Sequence, residues 1–411
     1  MQPWPVPQAS TSLPALPGNG QLPKVWDTAT QSKVTVGSAA GASIYVCGIT
    51  PYDATHLGHA ATYVGFDLLN RVWRDAGAEV DYVQNVTDVD EPLLERAAAT
   101  GETWQGLAAR EIALFHRDMT ALRVLPPQHY VGVVESIAIV VALIQKLQAD
   151  GAAYDVDGDL YFAVGAAAEF GSVSHDDRAA MLALFAERGG DPERPGKRDP
   201  LDSLLWRAER PGEPAWDATI GRGRPGWHVE CTAIALEYLE APLSVQGGGR
   251  DLVFPHHEMC AAQGAVITGG PFARSYVHAG MVGYDGAKMS KSRGNLVFVS
   301  KLLSDGVDPM AIRLALLAHH YRNDWEYTQA DLGSAAARLE IWRAATALTS
   351  GPDADAVLTV VRDCLGDDLD APGALVAIDE WAATALAGGR KDAAAPGLVR
   401  AIADLLLGIA L

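Results

Sequence analysis

The chain of 411 residues carries 32 Lys and Arg against 51 Asp and Glu, a formal charge of −19, and 49% of its residues are hydrophobic. That length allows two or three domains with a large buried core, and that charge disfavours wrapping a phosphate backbone unless cations gather in one cleft. Cys47, Cys231, Cys260 and Cys364 lie far apart, which excludes a dense disulfide framework and predicts a reducing cytoplasm with thiols free for metal or catalysis. The longest apolar run, Ile137 to Ile144, is too short to span a bilayer. Met1 to Ser10 is proline-rich without a positive n-region, so no secretory leader is expected.

Residues 1–40 mix Pro, Gly, Ser and Thr without periodicity and read as an arm laid over a domain whose first clear strand is Ala42 to Gly48. A helix with apolar positions Tyr63, Phe66, Leu69 and Trp73 follows, and Asp75-Ala-Gly77 stops it before a strand at Val80 to Val86. Glu91 to Gln148 has a helical pattern interrupted at Pro126-Pro127, and an acidic turn then leads into a short strand, Leu160 to Val164. Residues 186–226 are crowded with Gly, Pro, Arg and Asp, including Glu187-Arg-Gly-Gly-Asp-Pro192, and read as a long functional loop with Leu204 to Trp206 as a brief strand. Regular order resumes with a helix from Gly226 to Leu239, a strand at Leu243 to Gln246, the run Gly247 to Gly249, a helix from near Pro255 and a strand from Tyr276 to Val282. Beyond Asn295 the sequence is Ala/Leu-rich and helical. These elements predict an arm (1–40), an α/β catalytic domain (41–295) with an inserted region at about 110–215, and a C-terminal helical domain (296–411).

Two constellations carry chemistry. In Cys47-Gly-Ile-Thr-Pro-Tyr-Asp-Ala-Thr-His56-Leu-Gly-His59 a strand ends and a helix begins. Helix amides, a positive dipole end and two imidazoles one turn apart can hold phosphate there, although two surface histidines would read the same way. Lys288-Met-Ser-Lys291-Ser292, flanked by Gly286 and Gly294, puts two ammonium groups on a loop able to clamp a polyphosphate and stabilise a leaving pyrophosphate. In so acidic a chain, an incidental basic turn is the weaker reading.

Together these motifs resemble the HIGH and KMSKS signatures of class I aminoacyl-tRNA synthetases, with Leu57 in the isoleucine place. The resemblance implies a Rossmann-like parallel sheet, ATP with Mg2+, and adenylation of a carboxylate by His56, His59, Lys288 and Lys291. Cys47, Cys231 and His256 match the zinc-binding positions of cysteinyl-tRNA synthetases, where the substrate thiolate completes the tetrahedron. Serine differs from cysteine by one atom, and a thiolate-preferring metal discriminates where pocket shape cannot. Cys260 stands where those enzymes carry a glutamate ligand; it is either a ligand or a small buried residue. The same resemblance lines the cysteine and ATP pocket with Cys47, Gly48, Ile49, Thr50, Thr62, Asn85, Val86, Thr87, Trp227, Gly249, Arg250, Asp251 and Val282. Asp251 and Trp227 would hold the substrate ammonium, and backbone near Gly249 and Val282 would cradle ribose and adenine.

The departures from that family carry information. Gly58-His-Ala-Ala-Thr62 lacks the arginine of the usual Gly-His-x-Arg-Thr, and Glu187 to Pro192 also departs from the family pattern. Residues 351–411 offer few cations against many Asp, whereas charging a tRNA needs a basic anticodon-reading module. This pattern resembles the cysteine ligases of mycothiol biosynthesis, paralogues of cysteinyl-tRNA synthetase. That resemblance implies L-cysteine, ATP and glucosaminyl-myo-inositol as partners, zinc as cofactor, a cytoplasmic location, and neither tRNA nor membrane. The C-terminal helices are expected to close over the adenylate and help bind the sugar. A truncated cysteinyl-tRNA synthetase is one alternative. A non-enzymatic zinc-dependent binder is the other, but it would have no use for leaving-group lysines.

Overall fold

A computed structural model describes residues 1–8, 13–289, 294–389 and 391–411, except for the side chain of Lys288. An antiparallel hairpin, β1 (Lys24–Asp27) and β2 (Ser32–Thr35), precedes β3 (Ala42–Val46), α1 (Leu57–Asp75) and β4 (Val80–Val86). Helices α2 (Glu91–Thr100) and α3 (Trp104–Ala121) lead to β5 (His129–Gly132) and α4 (Ile137–Ala149). An antiparallel sheet follows, in the order β6 (Ala153–Val156), β7 (Asp159–Phe162), β8 (Ser203–Ala208), β9 (Gly223–Pro225), with α5 (Arg178–Glu187) between β7 and β8. Next come α6 (Trp227–Tyr238), β10 (Val245–Gly249), α7 (Glu258–Thr268) and β11 (Tyr276–Ala279). A small sheet of β12 (Val282–Tyr284), β13 (Ala287–Lys288) and β14 (Trp325–Glu326) accompanies the closing helices α8 (Val299–Ser304), α9 (Pro309–Leu317), α10 (Gln329–Thr346), α11 (Asp355–Gly366), α12 (Ala371–Leu386) and α13 (Ala395–Leu407).

The central sheet runs β11-β10-β3-β4-β5, every neighbour parallel. Its strands are buried, as Ile44, Tyr45 and Val46 in β3 show, because helices cover both faces. From β3 the chain moves outward to β4 and β5, then returns to the other side of β3 as β10. The order reverses there, so the carboxyl ends of β3 and β10 border the crevice where open α/β sheets bind ligands. Helix α1 crosses this sheet on Tyr63, Phe66, Leu69 and Trp73, each contributing about 1.5–3 kcal/mol of burial.

Several elements depart from the sequence pattern, each for a packing reason. The arm contains the β1–β2 hairpin, and Trp4 and Val25 enter the main core, with the Trp4 indole donating to the Val124 carbonyl at 2.8 Å. Four-residue strands without clear alternation gain their order from such tertiary contacts. The run from Gly247 to Gly249, read as following the strand, lies inside β10, where a Cβ on Gly247 would meet the Phe66 ring of α1 at 2.4 Å. Strand β5 interrupts the expected helical stretch. The segment read as one strand from Tyr276 to Val282 divides between two sheets, whereas the helix expected near Pro255 is present, opening as a π-helical turn (Val253–His257) that runs into α7. Among the described residues, no helix is long and apolar enough to cross a membrane.

The closing helices are joined to the sheet by a buried charge cluster. Asp67 on α1 takes Arg71 Nε at 2.7 Å and Arg313 of α9, with neither Asp67 nor Arg313 exposed at all. Arg313 also donates to the carbonyls of Leu407 (2.7 Å) and Leu122 (2.8 Å), so α1, α3, α9 and α13 meet at one guanidinium. Burial pushes the Asp67 carboxyl up, but Arg71 and Arg313 outweigh it and hold the group below its ordinary 3.8. Asp67→Asn leaves two guanidiniums without their buried counter-charge and is expected to lower unfolding free energy by about 3–5 kcal/mol in urea titrations near neutral pH. Because the folded value is depressed, the carboxylate's contribution is present above 3.8 and fades as pH falls below it, so wild type and variant should converge in acid.

Candidate active site

The carboxyl end of β3 places the first functional residues. Gly48 N donates to Asn85 Oδ1 at 2.7 Å, and a Cβ on Gly48 would lie 1.6 Å from the Asn85 carbonyl oxygen, so only glycine fits between β3 and β4. Asn85 Nδ2 continues to Thr87 Oγ1 (3.2 Å), which donates to the buried Glu230 carboxyl at 2.5 Å. His56 caps α1, its Nδ1 accepting from Gly58 N at 3.1 Å, and the His59 ring stacks on it with centroids 3.8 Å apart. Two imidazoles thus stand beside the amides and positive dipole end of a 19-residue helix.

A cavity of about 390 Å³ opens at this point. It is lined by Cys47, Gly48, Ile49, Thr50, His56, His59 and Thr62 from the β3–α1 segment, Trp227 from α6, Gly249 at the end of β10, Asp251 just after it, and Val282 from β12. Three other expected lining residues lie behind it: Asn85 and Thr87 brace the loop, and Val86 is wholly buried in the core. Arg250 turns away, pairing with Asp324 at 2.9 Å and bordering a separate cavity. The main chain of Lys288 is in β13, whereas its side chain and Lys291 fall outside the described residues. Tyr52 and Met289, inside the two motifs but not singled out there, and Leu252 and Met281, which no motif pointed to, also line the cavity. No residue beyond Leu296 lines it among those described, so the closing helices do not reach the cleft.

At the inner end, single ligand atoms of Cys47, Cys231 and His256 lie within 4.8 Å of one another, all buried. A tetrahedral zinc with bonds of about 2.0–2.3 Å needs separations of about 3.3–3.8 Å, so only a small contraction is required. His256 Nδ1 sits 3.0 Å from His228 Nδ1, its Nε2 is buried with no protein partner, and its ring stacks on Trp227 at 4.5 Å. Burial raises the thiols of Cys47 and Cys231 and pushes His228 down to about 3, so the cluster without a cation is neutral. A divalent cation reverses that preference for the thiols, and this donor set suits one. Cys260 stands outside the group, its Sγ 3.6 Å from the His228 carbonyl oxygen, and all four cysteines are free. Behind Cys47 a line runs through the buried His257 (3.3 Å) and His278 (2.8 Å) to the half-buried Thr28 (2.7 Å). Sequence reasoning missed that line, because its members are brought together from three distant segments.

Residues 33–337 match the family of class I (C) tRNA synthetase catalytic domains. The LeuRS of Agrobacterium radiobacter K84, in its ternary complex with tRNA and LeuAMS, has the same fold, with a TM-score of 0.66 at 12% identity over 91% of this chain and 84% of that one. The fold and cleft therefore define a class I synthetase catalytic domain. Over its whole length the chain is 61% identical to the L-cysteine:1D-myo-inositol 2-amino-2-deoxy-alpha-D-glucopyranoside ligase of Thermobifida fusca, which it covers to 99%. It is also 61% identical to the ligase of that name from Thermomonospora curvata, covered to 100%. The chain belongs to this ligase family.

The Gly48 contact is open to a direct test. Gly48→Ala forces β3 away from β4 and is expected to lower the thermal midpoint by several degrees and to disturb the cleft. Gly333→Ala, in α10 with nothing within 4 Å of the new methyl, should leave the midpoint unchanged or raise it.

Proposed function

We propose that the protein adenylates L-cysteine with ATP and transfers the cysteinyl group to the amine of glucosaminyl-myo-inositol, releasing pyrophosphate and AMP. The observation that carries this reading is one cleft that joins the stacked His56–His59 pair to the Cys47–Cys231–His256 group. The names of the relatives supply the acceptor. The chemistry is assigned to residues 41–295, with 1–40 and 296–411 as supporting regions. Free thiols at the ligand positions suit a reducing cytoplasm.

In the first step a cysteine carboxylate oxygen attacks the α-phosphorus of ATP, and the bond to pyrophosphate breaks. His56 and His59, with the first amides of α1, hold the phosphates, while Lys288 and Lys291 neutralise the charge that grows on the leaving pyrophosphate. Asp251 and Trp227 orient the cysteine ammonium. In the second step the sugar amine forms the C–N bond to the acyl carbon, the C–O bond to phosphate breaks, AMP leaves with the electron pair, and the amine loses a proton. Cys47, Cys231 and His256 would hold zinc, which when bound supplies a soft Lewis-acid site that selects thiolate over the hydroxyl of serine. Trp227 and His228 fix the His256 ring for that role.

Cys47→Ser and Cys231→Ser should each lower the zinc content of the purified protein, read by elemental analysis, and lower cysteine-dependent ATP–pyrophosphate exchange with it. Lys291→Ala should slow exchange by about 10²–10³-fold while changing the KM for cysteine by less than about threefold, since its charge acts in the transition state. Glucosaminyl-inositol should stimulate AMP release and appear as an amide in product mass analysis, and total tRNA should not be charged. Cysteinyl-tRNA forming as fast as AMP is released would replace this reading with that of a truncated synthetase.

A further inference from the structure

A second cavity, of about 790 Å³, adjoins the nucleotide cleft and shares Thr50, Tyr52, Trp227, Asp251 and Leu252 with it. Its size falls in the range of about 300–1,000 Å³ common to small-molecule sites. A cysteine sulfur at the inner cluster and an α-phosphate at His56 and His59 would put the acyl carbon of an adenylate in the cleft that this shared wall borders. The second cavity therefore faces the carbon that the acceptor amine must reach.

One side of this cavity is built by the insertion, and in particular by Glu187-Arg-Gly-Gly-Asp191, a segment whose sequence departs from the cysteinyl-tRNA synthetase pattern. Arg188 donates to the carbonyl oxygens of Asp251 (2.5 Å) and Phe254, tying the segment to the loop after β10. Gly190 passes under the Phe185 ring, where a Cβ would come within 2.5 Å. Asp191 accepts from Tyr161 Oη and from Lys197 (3.0 Å).

The charges lining the cavity alternate in sign. Asp159 bridges Arg194 (3.0 Å) and Arg210 (2.9 Å), and Glu91 pairs with Arg224 (2.7 Å) and Arg207 (3.4 Å). A polyanion would meet six carboxylates against five guanidiniums. A polyol is suited, because its vicinal hydroxyls both donate to carboxylates and accept from guanidiniums. Arg194 and Arg207 keep 26% and 33% of their side chains exposed beside these carboxylates, so their guanidiniums stay open to a ligand's hydroxyls.

We infer that this cavity is the acceptor subsite, in which Arg194, Arg207 and the Glu187–Asp191 segment bind the hydroxyls of an amino-sugar–cyclitol and present its amine across the Trp227–Asp251 wall. This deepens the proposed function and rests on it. It also places acceptor recognition in the insertion, not in the closing helices.

The test separates the half-reactions. Arg194→Met and Arg207→Met should each raise the KM for glucosaminyl-inositol in amide formation by tenfold or more, with ATP–pyrophosphate exchange within twofold of wild type. A second readout needs no variant: with wild-type enzyme loaded with a non-hydrolysable cysteinyl-adenylate mimic, added glucosaminyl-inositol should slow amide hydrogen exchange at residues 187–191. An unchanged acceptor KM, exchange activity falling in proportion, or protection confined to the C-terminal helices would overturn the subsite while wild-type amide synthesis stands. Wild-type enzyme that makes no amide from this acceptor would instead overturn the proposed function itself.

Discussion

The active-site geometry depends on how closely β3 and β4 approach at their carboxyl ends. Gly48 sits so near the Asn85 carbonyl that no side chain fits, and its amide is held by the Asn85 side chain. Within two residues the chain must deliver Cys47 to the inner cluster and release the backbone toward the capped start of α1. Because the contact is backbone against backbone, side-chain repacking cannot absorb a shift there. The thiol, the cleft wall and the imidazole pair move together or not at all, as catalysis by positioned groups requires.

The same strand end is braced from behind by polar groups that never touch the cleft. Asn85, Thr87 and Glu230 form a chain from β4 to α6, the helix that carries Cys231. The insertion packs Phe162, Leu205 and Trp206 with Val229 of α6 and Met259 of α7, so it braces the helices around Cys231 and His256 while forming the wall of the second cavity. One buried cluster therefore couples the metal-type group to the insertion that borders the second cavity. Desolvation makes the arrangement demanding: thiols and imidazoles this deeply buried are neutral unless a cation is among them.

Asp67 and Arg313 solve a separate problem, that of attaching an acidic helical region to an α/β domain. A purely apolar seam would allow several helix registers, whereas one guanidinium donating to a carboxylate on α1 and to the ends of α3 and α13 is satisfied in a single arrangement. Its desolvation is offset because each of its three nitrogens donates to a buried oxygen.

How much of this was legible in the sequence depended on whether the signal was local. Strand β4 matched its predicted limits, and the helix read from Tyr63, Phe66, Leu69 and Trp73 is α1, because periodicity and the Asp75–Gly77 stop are properties of adjacent residues. The His56–His59 spacing and the glycine after Cys47 likewise announced a phosphate site at a strand end. The hairpin at 24–35, the strand role of Gly247 to Gly249 and the division of the 276–282 segment were not legible, since each is decided by a partner far away in the chain. Cys47, Cys231 and His256 could be named from resemblance, but their convergence is a property of the parallel sheet's return from β5 to β10. The sequence by itself determined which side chains could hold phosphate and a soft metal, because those are chemical identities. Tertiary structure alone decided that Arg250 faces away, that the closing helices stand off the cleft, and that Glu187 to Asp191 borders the shared wall. Those outcomes depend on which surfaces the packed core leaves facing each other.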